Sequence, residues 1–588
     1  MSTRPVSPST NESRVSRRRF LRAAGSGTLL TATTAAAVPF AESVAHAQQR
    51  WDREADVVVV GSGAAGSSAA LFAHEGRASV LMLEKAAQYG GTTGRSGGAF
   101  WVPNNYLMRE EGLADPREDC LRYMARTAYP TEYNASDTHL GLSETSYALI
   151  ATFYDQGSVT VDALRAMGAL GPLVFWYNTA DKMYPDYYAQ LPEDKAPYGR
   201  TLFPTRPDGT TGGGAALISQ LKAAVEERSI PVLLEHRATR VVVNSQGEVV
   251  GLEATTRNGE TVTVRARQGV IFGTGGFLSN PELRLNFLRG PIFGGCAVPT
   301  SEGDFVHIAT AAGAALGNMA HAWWIQQVLE PKLHSNISSI MTQAPGDAMI
   351  LVNRYGRRCV NEKIQYNERT QSHFEWDAVT GTYPNRVQMM VFDDGCRERH
   401  GSGGGALPKP GVSAPYLLSG RTLEELTAAI EARLAELTPH IGNFQLDTGF
   451  RANLHESIVR FNQFAETGKD LDFHRGEAPI EFGFDGGRHP ENDKPNQMMY
   501  PISLTGPFYA VLIGGGALDT KGGPKTNADA QVIDHEGRAI PGLYGAGNCV
   551  ASPAGQAYWS GGGTIAPAMT FGAVAARHAL NGPAKELS

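Results

Sequence analysis

The chain alternates hydrophobic runs with glycine-rich turns, and the first such run predicts a buried strand. Residues 57–60 are consecutive valines that follow Asp56 and precede a glycine motif. A run of this kind, without charges, is typical of a parallel strand that is covered on both faces. Residues 80–83 repeat the pattern and end at Glu84. Strand, helix and strand in this order predict the opening unit of an α/β fold.

The glycines after the first strand have the spacing of a dinucleotide-binding loop. Gly61, Gly63 and Gly66 would give a tight turn, a close approach of the backbone to a pyrophosphate, and close packing of the next helix on the sheet. The phosphates would lie at the helix N-terminus, where unpaired N–H groups and the dipole favour negative charge. Glu84 stands where a carboxylate accepts a hydrogen bond from a ribose hydroxyl. The motif predicts a Rossmann-like dinucleotide site, with an ordinary glycine-rich turn as the alternative.

Patterns further along predict more elements of this fold. A helix is predicted after residues 212–214, and the short apolar strands within 232–270 indicate an antiparallel layer. Residues 270–276 indicate another buried strand with a glycine loop. That loop lacks a third glycine at the right spacing, so it predicts no second dinucleotide site and no NAD(P)H domain. Residues 543–548 and 564–580 predict a final strand and a closing helix.

The N-terminus has the features of an export signal. Residues 16–22 are rich in arginine, residues 28–40 are mildly apolar, and Ala45-His46-Ala47 is typical of a cleavage site. The apolar run is shorter than the roughly 20 residues of a membrane span. Residues 1–47 resemble a twin-arginine signal, which implies a folded, exported protein in a periplasmic or other extracytoplasmic location. A disordered basic tail is the alternative.

Charge and cysteine content exclude several classes of protein. Cleavage after Ala47 would remove six arginines and two glutamates, a segment of net charge +4, and change the formal net charge from −7 to −11. An acidic mature protein argues against nucleic acid or an anionic membrane as the main partner. The five cysteines contain no C-x-x-C pair, so the sequence predicts neither a disulfide framework nor a metal or iron–sulfur site.

A second glycine-rich segment indicates which dinucleotide binds. Residues 90–98 read Gly-Gly-Thr-Thr-Gly-Arg-Ser-Gly-Gly, too rich in glycine for a packed element, and their hydroxyls suit a pyrophosphate, a ribityl chain or a flavin ring. The segment is similar to the second FAD loop of the fumarate reductase and 3-ketosteroid dehydrogenase flavoproteins, which favours FAD over a flexible hairpin. The resemblance continues, in the order of that superfamily, to residues 540–544. It implies that FAD contacts Gly61, Ser62, Gly63, Ala64, Ala65, Gly66, Glu84, Lys85, Gly91, Thr92, Thr93, Ser96, Gly97, Gly98, Val241, Thr274, Gly275, Gly547, Asn548, Thr564 and Ile565.

These observations predict a discontinuous cofactor domain. Residues 52–295 and 501–588 are predicted to form a Rossmann-like FAD-binding domain. Residues 296–500 lack the strand–helix–strand pattern and are predicted to form an inserted α+β substrate domain, which would carry part of the catalytic machinery.

Two departures from the fumarate reductase pattern point to the ketosteroid dehydrogenase branch. In fumarate reductases the residue five positions after the asparagine at 361 is a proton-donating arginine, whereas here it is Tyr366, as in the ketosteroid dehydrogenases. A tyrosine suits proton exchange beside a ketone, although a core tyrosine is the alternative. Residues 556–572 also lack a substrate-binding arginine. By resemblance, the Tyr558 hydroxyl and the Gly562 N–H would hold the ketone oxygen and stabilise enolate charge, as an oxyanion hole does.

Two further segments carry candidate residues. Trp559-Ser560 replaces the usual Pro-Gly of the 1(2)-dehydrogenases, and Tyr-x-Ser resembles the 4(5α)-dehydrogenase branch. Ser560 is therefore a candidate proton relay, with a loop or N-cap serine as the alternative. Residues 184–188, with Gly199-Arg200-Thr201-Leu202 after them, resemble the segment that covers the active site in the dehydrogenases, where either Tyr187 or Tyr188 would support the proton acceptor. An aromatic-rich surface loop is the alternative. The position of desaturation stays open.

The resemblance implies an FAD-dependent dehydrogenase that introduces a C=C bond α,β to a ring ketone. The α-proton would be abstracted and the β-hydride would pass to FAD. A 3-ketosteroid, desaturated at 1(2) or 4(5), is the first substrate class, and a smaller cyclic ketone such as 4-oxocyclohexane carboxylate is an alternative. The electron acceptor would be a quinone or a cytochrome. A fumarate- or enoate-type reductase with an external donor and a flavin-bearing electron carrier without substrate chemistry are the rivals.

Overall fold

The structure is a computed structural model that describes residues 50–179, 182–333, 344–403, 405–484 and 489–586. The predicted export signal, residues 1–47, lies outside the described residues. None of the helices within the described ranges is both long enough and apolar enough to cross a bilayer.

The valine run forms part of the strand Arg53–Val60, which lies in the interior of an eight-stranded sheet. This strand pairs in parallel with Val80–Leu83 on one side and with Thr261–Phe272 on the other. Val57 and Val59 belong to one hydrophobic core and Val58 and Val60 to another, so both faces of the strand are buried, as the sequence predicts. The remaining strands of this first sheet are Val232–Leu233, His236–Val243, Val249–Thr256, Gln531–Ile533 and Ala539–Gly545.

The predicted antiparallel layer is present within the first sheet. His236–Val243 pairs antiparallel with Val249–Thr256, which in turn pairs antiparallel with Thr261–Phe272. The last of these strands continues past the layer and becomes a parallel partner of Arg53–Val60 and of Ala539–Gly545. One long strand thus joins the antiparallel layer to the parallel part of the sheet. Together with the helices on the sheet, this arrangement confirms the predicted α/β class.

Two helices cross closely on one face of the first sheet. The helix Ala64–Glu75 follows the glycine motif, and Ile565–Leu580 is the predicted closing helix. The Ser68 hydroxyl donates to the Met569 carbonyl at 2.7 Å. A Cβ on Gly572 would lie 2.4 Å from the Ala65 carbonyl oxygen, so this crossing requires a residue without a side chain. The helix Gly214–Glu227, also predicted, contacts Ala64–Glu75.

A second sheet, antiparallel and five-stranded, carries the other large core. Its strands are Ala322–Val328, Met349–Val352, Val387–Asp393, Leu418–Gly420 and Phe508–Thr520. All seven residues of Val387–Asp393 are buried, and the helices Leu423–Glu436 and Phe450–Thr467 contribute apolar residues to the same core. The thirteen-residue strand Phe508–Thr520 pairs within this sheet, although the predicted boundary at residue 500 assigns it to the FAD-binding domain. The domain boundaries themselves stay a prediction.

The segment 90–98 differs from its prediction. Instead of an open loop it contains the short helix Gly91–Arg95, which begins after Gly90 in the left-handed region at φ 115°. The Thr93 side chain accepts a hydrogen bond from the Ala64 N–H at 3.2 Å, and a Cβ on Gly214 would lie 2.0 Å from the Thr93 carbonyl oxygen. These tertiary contacts hold a helical turn despite the low helix propensity of glycine.

The region between the second glycine segment and residue 212 is helical, as predicted, but it also contains strands. Its helices are Tyr106–Glu110, Arg117–Ala128 and Glu144–Ala166. Phe100–Trp101, Leu173–Phe175 and Thr201–Pro204 form a small sheet, and Tyr177–Thr179 pairs with Lys182–Met183. The remaining elements are the helices Pro281–Phe287, Asp304–Ala311, Leu329–Leu333, Tyr366–Gln371, Asp394–His400, Thr438–Ile441 and Pro479–Phe484, the 3-10 turns Ser372–Phe374 and Gly547–Cys549, and the short strands Leu316–Gly317 and Gly523–Pro524.

Candidate active site

A cavity opens at the carboxyl ends of the parallel strands, where open α/β sheets bind their ligands. It is walled by the ends of these strands, the glycine motif, the helix Gly91–Arg95 and the start of the closing helix. The predicted cofactor residues that line it are Gly61, Ser62, Gly63, Ala64, Ala65, Glu84, Lys85, Gly91, Thr92, Thr93, Ser96, Thr274, Gly275, Gly547, Asn548, Thr564 and Ile565.

The other predicted cofactor residues lie behind this wall or away from it. A Cβ on Gly66 would lie 1.9 Å from the Gly61 carbonyl oxygen, so Gly66 serves the turn and not the cavity. Gly98 packs against the backbone of Gly213, Gly97 is exposed, and Val241 is buried in the core of the antiparallel layer. Lining residues that the sequence analysis missed are His236, Ala238, Ser301, Asp304 and Asp519, which have no motif of their own.

The glycine motif forms a cradle for an anion. Gly61 has φ 100°, and a Cβ there would lie 2.4 Å from the Gly273 carbonyl oxygen. Gly63 is the N-cap residue of the helix Ala64–Glu75 and has no side chain to cap its N–H groups. The first turn of this helix contains no acidic residue. Its N-terminal N–H groups border the cavity and favour a pyrophosphate.

Hydrogen bonds also orient the Glu84 carboxylate, the group predicted to bind a ribose. Glu84 ends its strand with one carboxylate oxygen accepting from the Ser62 N–H and hydroxyl, at 3.0 and 2.7 Å, and the other from the Ala86 N–H at 2.8 Å. These bonds fix the carboxylate at the cavity wall and leave it acceptor capacity for a diol. Lys85 is paired with Glu302 and Asp304, at 2.8 and 2.9 Å, so its charge is already balanced.

At the opposite end of the cavity, Asn548 connects the wall to a buried aromatic side chain. Its Nδ2 donates to Asp519 at 3.2 Å, and its Oδ1 accepts from the Trp323 indole N–H at 2.9 Å. Asp519 also accepts from the Gly276 N–H at 3.0 Å, and burial raises the pKa of its carboxyl. The residues present fit FAD, because an anion cradle, a ribose carboxylate and polar groups follow one another along the cavity.

Beyond this end of the cavity, Tyr187, Tyr366 and Tyr558 form a cluster, which we call the tyrosine cluster. The Tyr187 hydroxyl donates to the Tyr366 hydroxyl at 2.7 Å. The Tyr558 ring centroid lies 5.2 Å from that of Tyr187 and 5.7 Å from that of Tyr366. The chain thus brings together three side chains that are far apart in sequence, each of them predicted as catalytic.

The tyrosine cluster is neutral and poised to donate hydrogen bonds. Burial raises the pKa of Tyr366, Tyr187 and Tyr558 above the ordinary value of 10. Hydrogen bonds involving Tyr366, the Gly562 N–H and Thr564 oppose this rise at Tyr558. Gly562 has φ 89°, and a Cβ there would lie 2.4 Å from the Phe100 backbone, so glycine is required. Thr564 also lines the cavity, so its hydrogen bond to Tyr558 connects the tyrosine cluster to the cavity wall.

The structure places Tyr188 and Ser560 differently. The Tyr188 hydroxyl donates to Glu368 at 2.6 Å. The Ser560 hydroxyl is buried, lies 3.2 Å from the Thr201 hydroxyl and donates to the Pro185 carbonyl at 3.4 Å. Of the two tyrosines left open by the sequence, Tyr187 is the one beside Tyr366.

A buried ion cluster, which sequence analysis missed, holds the segment that carries Tyr187. Arg200 donates to Asp186 at 2.6 Å, to Asp194 at 2.9 Å and to Asp115 at 2.7 Å, and all of these side chains are buried. The Trp101 indole N–H donates to Asp186 at 2.7 Å. Asp186 directly precedes Tyr187, so this cluster fixes the position of the tyrosine.

No group of three or more His, Cys, Asp or Glu side chains that could hold a metal occurs among the described residues. Cys120, Cys396 and Cys549 are buried, and none of the five cysteines forms a disulfide.

Known proteins resemble this chain over most of its length. The sequence model of the FAD binding domain family matches residues 56–565. A 4-oxocyclohexanecarboxylate 2-dehydrogenase of Sinomonas cyclohexanicum is 30% identical and covers 89% of this chain and 92% of its own. A 3-oxosteroid 1-dehydrogenase of Mycolicibacterium smegmatis is 32% identical and covers 89% and 97%. The crystal structure of 3-ketosteroid delta1-dehydrogenase from Sterolibacterium denitrificans, in complex with 1,4-androstadiene-3,17-dione, matches with a TM-score of 0.76 and 27% identity, over 90% of this chain and 100% of that chain.

The chain therefore belongs to the FAD-binding-domain family. Within it, the chain is an FAD-dependent oxidoreductase of the kind that acts on CH–CH groups, in the branch that includes the 3-ketosteroid dehydrogenases. The predicted cofactor, enzyme class and superfamily are confirmed.

Proposed function

We propose that this enzyme oxidises a ring ketone to its α,β-unsaturated form. The observation that carries the proposal is the tyrosine cluster, in which Tyr558 hydrogen-bonds to the Gly562 N–H and to Thr564, a residue of the FAD cavity wall. A hydroxyl and a backbone N–H that lie this close together can both donate to a ketone oxygen when its α-proton leaves.

The residues divide the work as follows. Tyr558 and the Gly562 N–H donate to the ketone oxygen and stabilise the developing enolate charge. Tyr366 is neutral in the structure, so it must first lose its own hydroxyl proton to solvent before it can take the α-proton. Tyr187, which donates to the Tyr366 oxygen at 2.7 Å, would stabilise the resulting phenolate. When bound, FAD would supply the two-electron oxidant for the β-hydride. Asn548, Thr564 and the glycine motif hold the cofactor.

A 3-ketosteroid desaturated at the 1(2) position is the substrate we propose first. The relatives named 3-oxosteroid 1-dehydrogenase support it. Ser560 supports it too, because the serine that would act as a relay in 4(5) desaturation instead directs its hydroxyl to Thr201 and Pro185. The relative named 4-oxocyclohexanecarboxylate 2-dehydrogenase supports a smaller ring ketone as the second candidate. We further propose export by the twin-arginine route to a periplasmic or other extracytoplasmic location, with a quinone or a cytochrome as the electron acceptor.

The test is anaerobic bleaching of the flavin absorbance by single compounds. The panel is 4-androstene-3,17-dione, a saturated 5α-3-ketosteroid, 4-oxocyclohexane carboxylate and succinate. Rapid bleaching by 4-androstene-3,17-dione supports 1(2) desaturation, and product analysis with the 5α-steroid separates 1(2) from 4(5). Bleaching by the carboxylate alone selects the smaller ketone. Silence with every ketone, together with reoxidation of the chemically reduced enzyme by an enone or fumarate, would make this a reductase.

A further inference from the structure

Lys521 is a buried cation close to the tyrosine cluster that the proposed mechanism does not use. It follows the strand Phe508–Thr520, and its side chain is fully buried. Its Nζ donates to the carbonyl of Gln556 at 2.9 Å and to that of Ala557 at 2.7 Å. These are the two residues that precede Tyr558, so the ammonium binds the backbone from which that tyrosine projects.

The remaining side of the ammonium faces an aromatic ring. Lys521 Nζ lies 4.3 Å from the centroid of the Trp323 ring, a cation–π distance. The Trp323 ring lies 4.9 Å from that of Tyr558, and its N–H donates to Asn548 at the cavity wall. The three N–H donors of the ammonium are thus taken up by two carbonyls and a ring that itself packs on Tyr558.

Glu368 and His321 are the titratable side chains near the Lys521 ammonium. Burial lowers the pKa of Lys521 to about 7, and the Glu368 carboxylate opposes this shift. Glu368 accepts hydrogen bonds from Tyr188 and from Asn367. Tyr188 therefore helps to hold the carboxylate whose charge raises the pKa of Lys521. On the side of Trp323, burial and the charges of Lys521 and Arg289 lower the pKa of His321 to about 4, so the imidazole is neutral near pH 7.

We propose that Lys521 is a positioning residue, whose ammonium fixes residues 556–558 and thereby aims the Tyr558 hydroxyl at the ketone oxygen. The inference rests on the proposed function, because it requires that Tyr558 polarise a ketone. A buried charge is costly to keep, and a hydrophobic side chain of this length would fill the same space. The hydrogen bonds of the ammonium to the Gln556 and Ala557 carbonyls indicate that the charge is kept to hold this backbone in place.

The experiment compares Lys521→Met, Lys521→Arg and a matched Lys585→Met control in the FAD-loaded enzyme. Lys585 is a partly buried lysine whose ammonium also donates to a backbone carbonyl, that of Gln268, in the first sheet. The readouts are FAD content, kcat and KM for ketone-driven flavin reduction, and the isotope effect with α-deuterated ketone. We expect Lys521→Met to lower kcat about 100-fold with unchanged FAD content, because a small displacement of a catalytic group costs about this much. The α-deuterium isotope effect should rise, since proton removal becomes limiting, and Lys521→Arg should recover part of the rate.

The outcomes separate the two proposals. If no ketone reduces the wild-type flavin, the proposed function fails. If the wild type is active and Lys521→Met keeps its rate and isotope effect, or if Lys585→Met loses as much, the positioning role fails.

A second measurement covers the case in which Lys521→Met does not fold. Tryptophan fluorescence of the wild type should contain a component that titrates near pH 7 and is absent in Trp323→Phe. If no component that depends on Trp323 titrates anywhere between neutral pH and the ordinary lysine pKa of 10.5, the ammonium does not face Trp323, and the inference is wrong.

Discussion

The cofactor cavity and the tyrosine cluster are built in opposite ways. The cavity wall depends on backbone atoms of contiguous motifs, where Gly61 and Gly66 leave no room for a Cβ. The tyrosine cluster depends on side-chain hydroxyls from segments as far apart as Tyr187 and Tyr366, 179 positions in sequence. We therefore expect the cofactor cavity to be intolerant of added atoms and the tyrosine cluster to be intolerant of lost polar atoms.

The largest effect is expected for Gly66→Ala. Its Cβ would lie 1.9 Å from the Gly61 carbonyl oxygen, so the glycine loop and the helix after it must separate. We expect loss of bound FAD and a decrease in the free energy of unfolding of at least about 3 kcal/mol. FAD content and urea denaturation measure this. Gly582→Ala, whose Cβ would meet nothing within 4 Å, is the control, and equal behaviour of the two variants would refute the steric argument.

Arg200→Met should come next, because it would leave Asp115, Asp186 and Asp194 buried without their cation. Removing one partner of a buried ion cluster typically costs about 3–5 kcal/mol. Denaturation followed by tryptophan fluorescence gives the change in the free energy of unfolding. Arg117→Met, which breaks a partly exposed pair with Asp155, should cost less than about 1 kcal/mol. Comparable losses would mean that the cluster does not hold the Tyr187 segment.

Tyr558→Phe removes one hydroxyl from the tyrosine cluster and leaves the cavity wall intact. We expect ketone-driven flavin reduction to slow by about 100- to 1000-fold, the usual cost of a lost oxyanion-hole donor, with normal FAD content. Stopped-flow absorbance measures the rate. Tyr416→Phe, which removes a hydroxyl that donates to the Gly405 carbonyl, is the control. A Tyr558→Phe enzyme that keeps its rate would remove Tyr558 from the mechanism.

Acid should weaken the second sheet before the first. Burial lowers the pKa of His373 to about 4, and His373 hydrogen-bonds to Gln326 in the strand Ala322–Val328. Because the pKa is lower in the folded than in the unfolded state, the stabilisation is complete above about pH 6.5 and is lost as the pH falls towards 4. At pH 5 the loss is about 2 kcal/mol. Amide-exchange protection should fall more in this strand than in Arg53–Val60, and His373→Gln should remove most of the difference; equal losses in both strands would contradict this.

The smallest effect is expected for Ser560→Ala. The Ser560 hydroxyl makes long contacts with Thr201 and Pro185, at 3.2 and 3.4 Å, and neither is a tyrosine of the cluster. Steady-state rates should therefore fall by no more than about threefold, the order of one weak hydrogen bond. A loss near that of Tyr558→Phe would instead place Ser560 in the proton path and favour desaturation at 4(5).

The sequence predicts most of the first region because its pattern is local. A charge-free strand, a glycine motif and a terminal acid are contiguous, and so are the helices around them. The helix Gly91–Arg95 escaped prediction because contacts to Ala64 and Gly214 override the propensity of its glycines. Tyr187, Tyr366 and Tyr558 were identified only through a family resemblance, since nothing in their local sequence says that they meet.

Single buried charges were beyond sequence analysis altogether. Asp519 and Lys521 follow no period and belong to no motif that the sequence analysis identified, and the segment around Arg200 gives no sign that this arginine binds three carboxylates. Their significance comes from burial, which is a property of the folded chain: Arg200 gathers three carboxylates, and Lys521 binds the carbonyls before Tyr558.

The strand Phe508–Thr520 has a consequence for how this enzyme can change. Asp519 contacts the cofactor cavity and Lys521, two residues on, supports Tyr558, while the rest of the strand is paired along the second sheet. One inserted or deleted residue would shift both side chains together and turn them to the opposite face. The residue register of this one strand therefore sets both the side chain at the cofactor cavity and the lysine near the substrate-binding tyrosine.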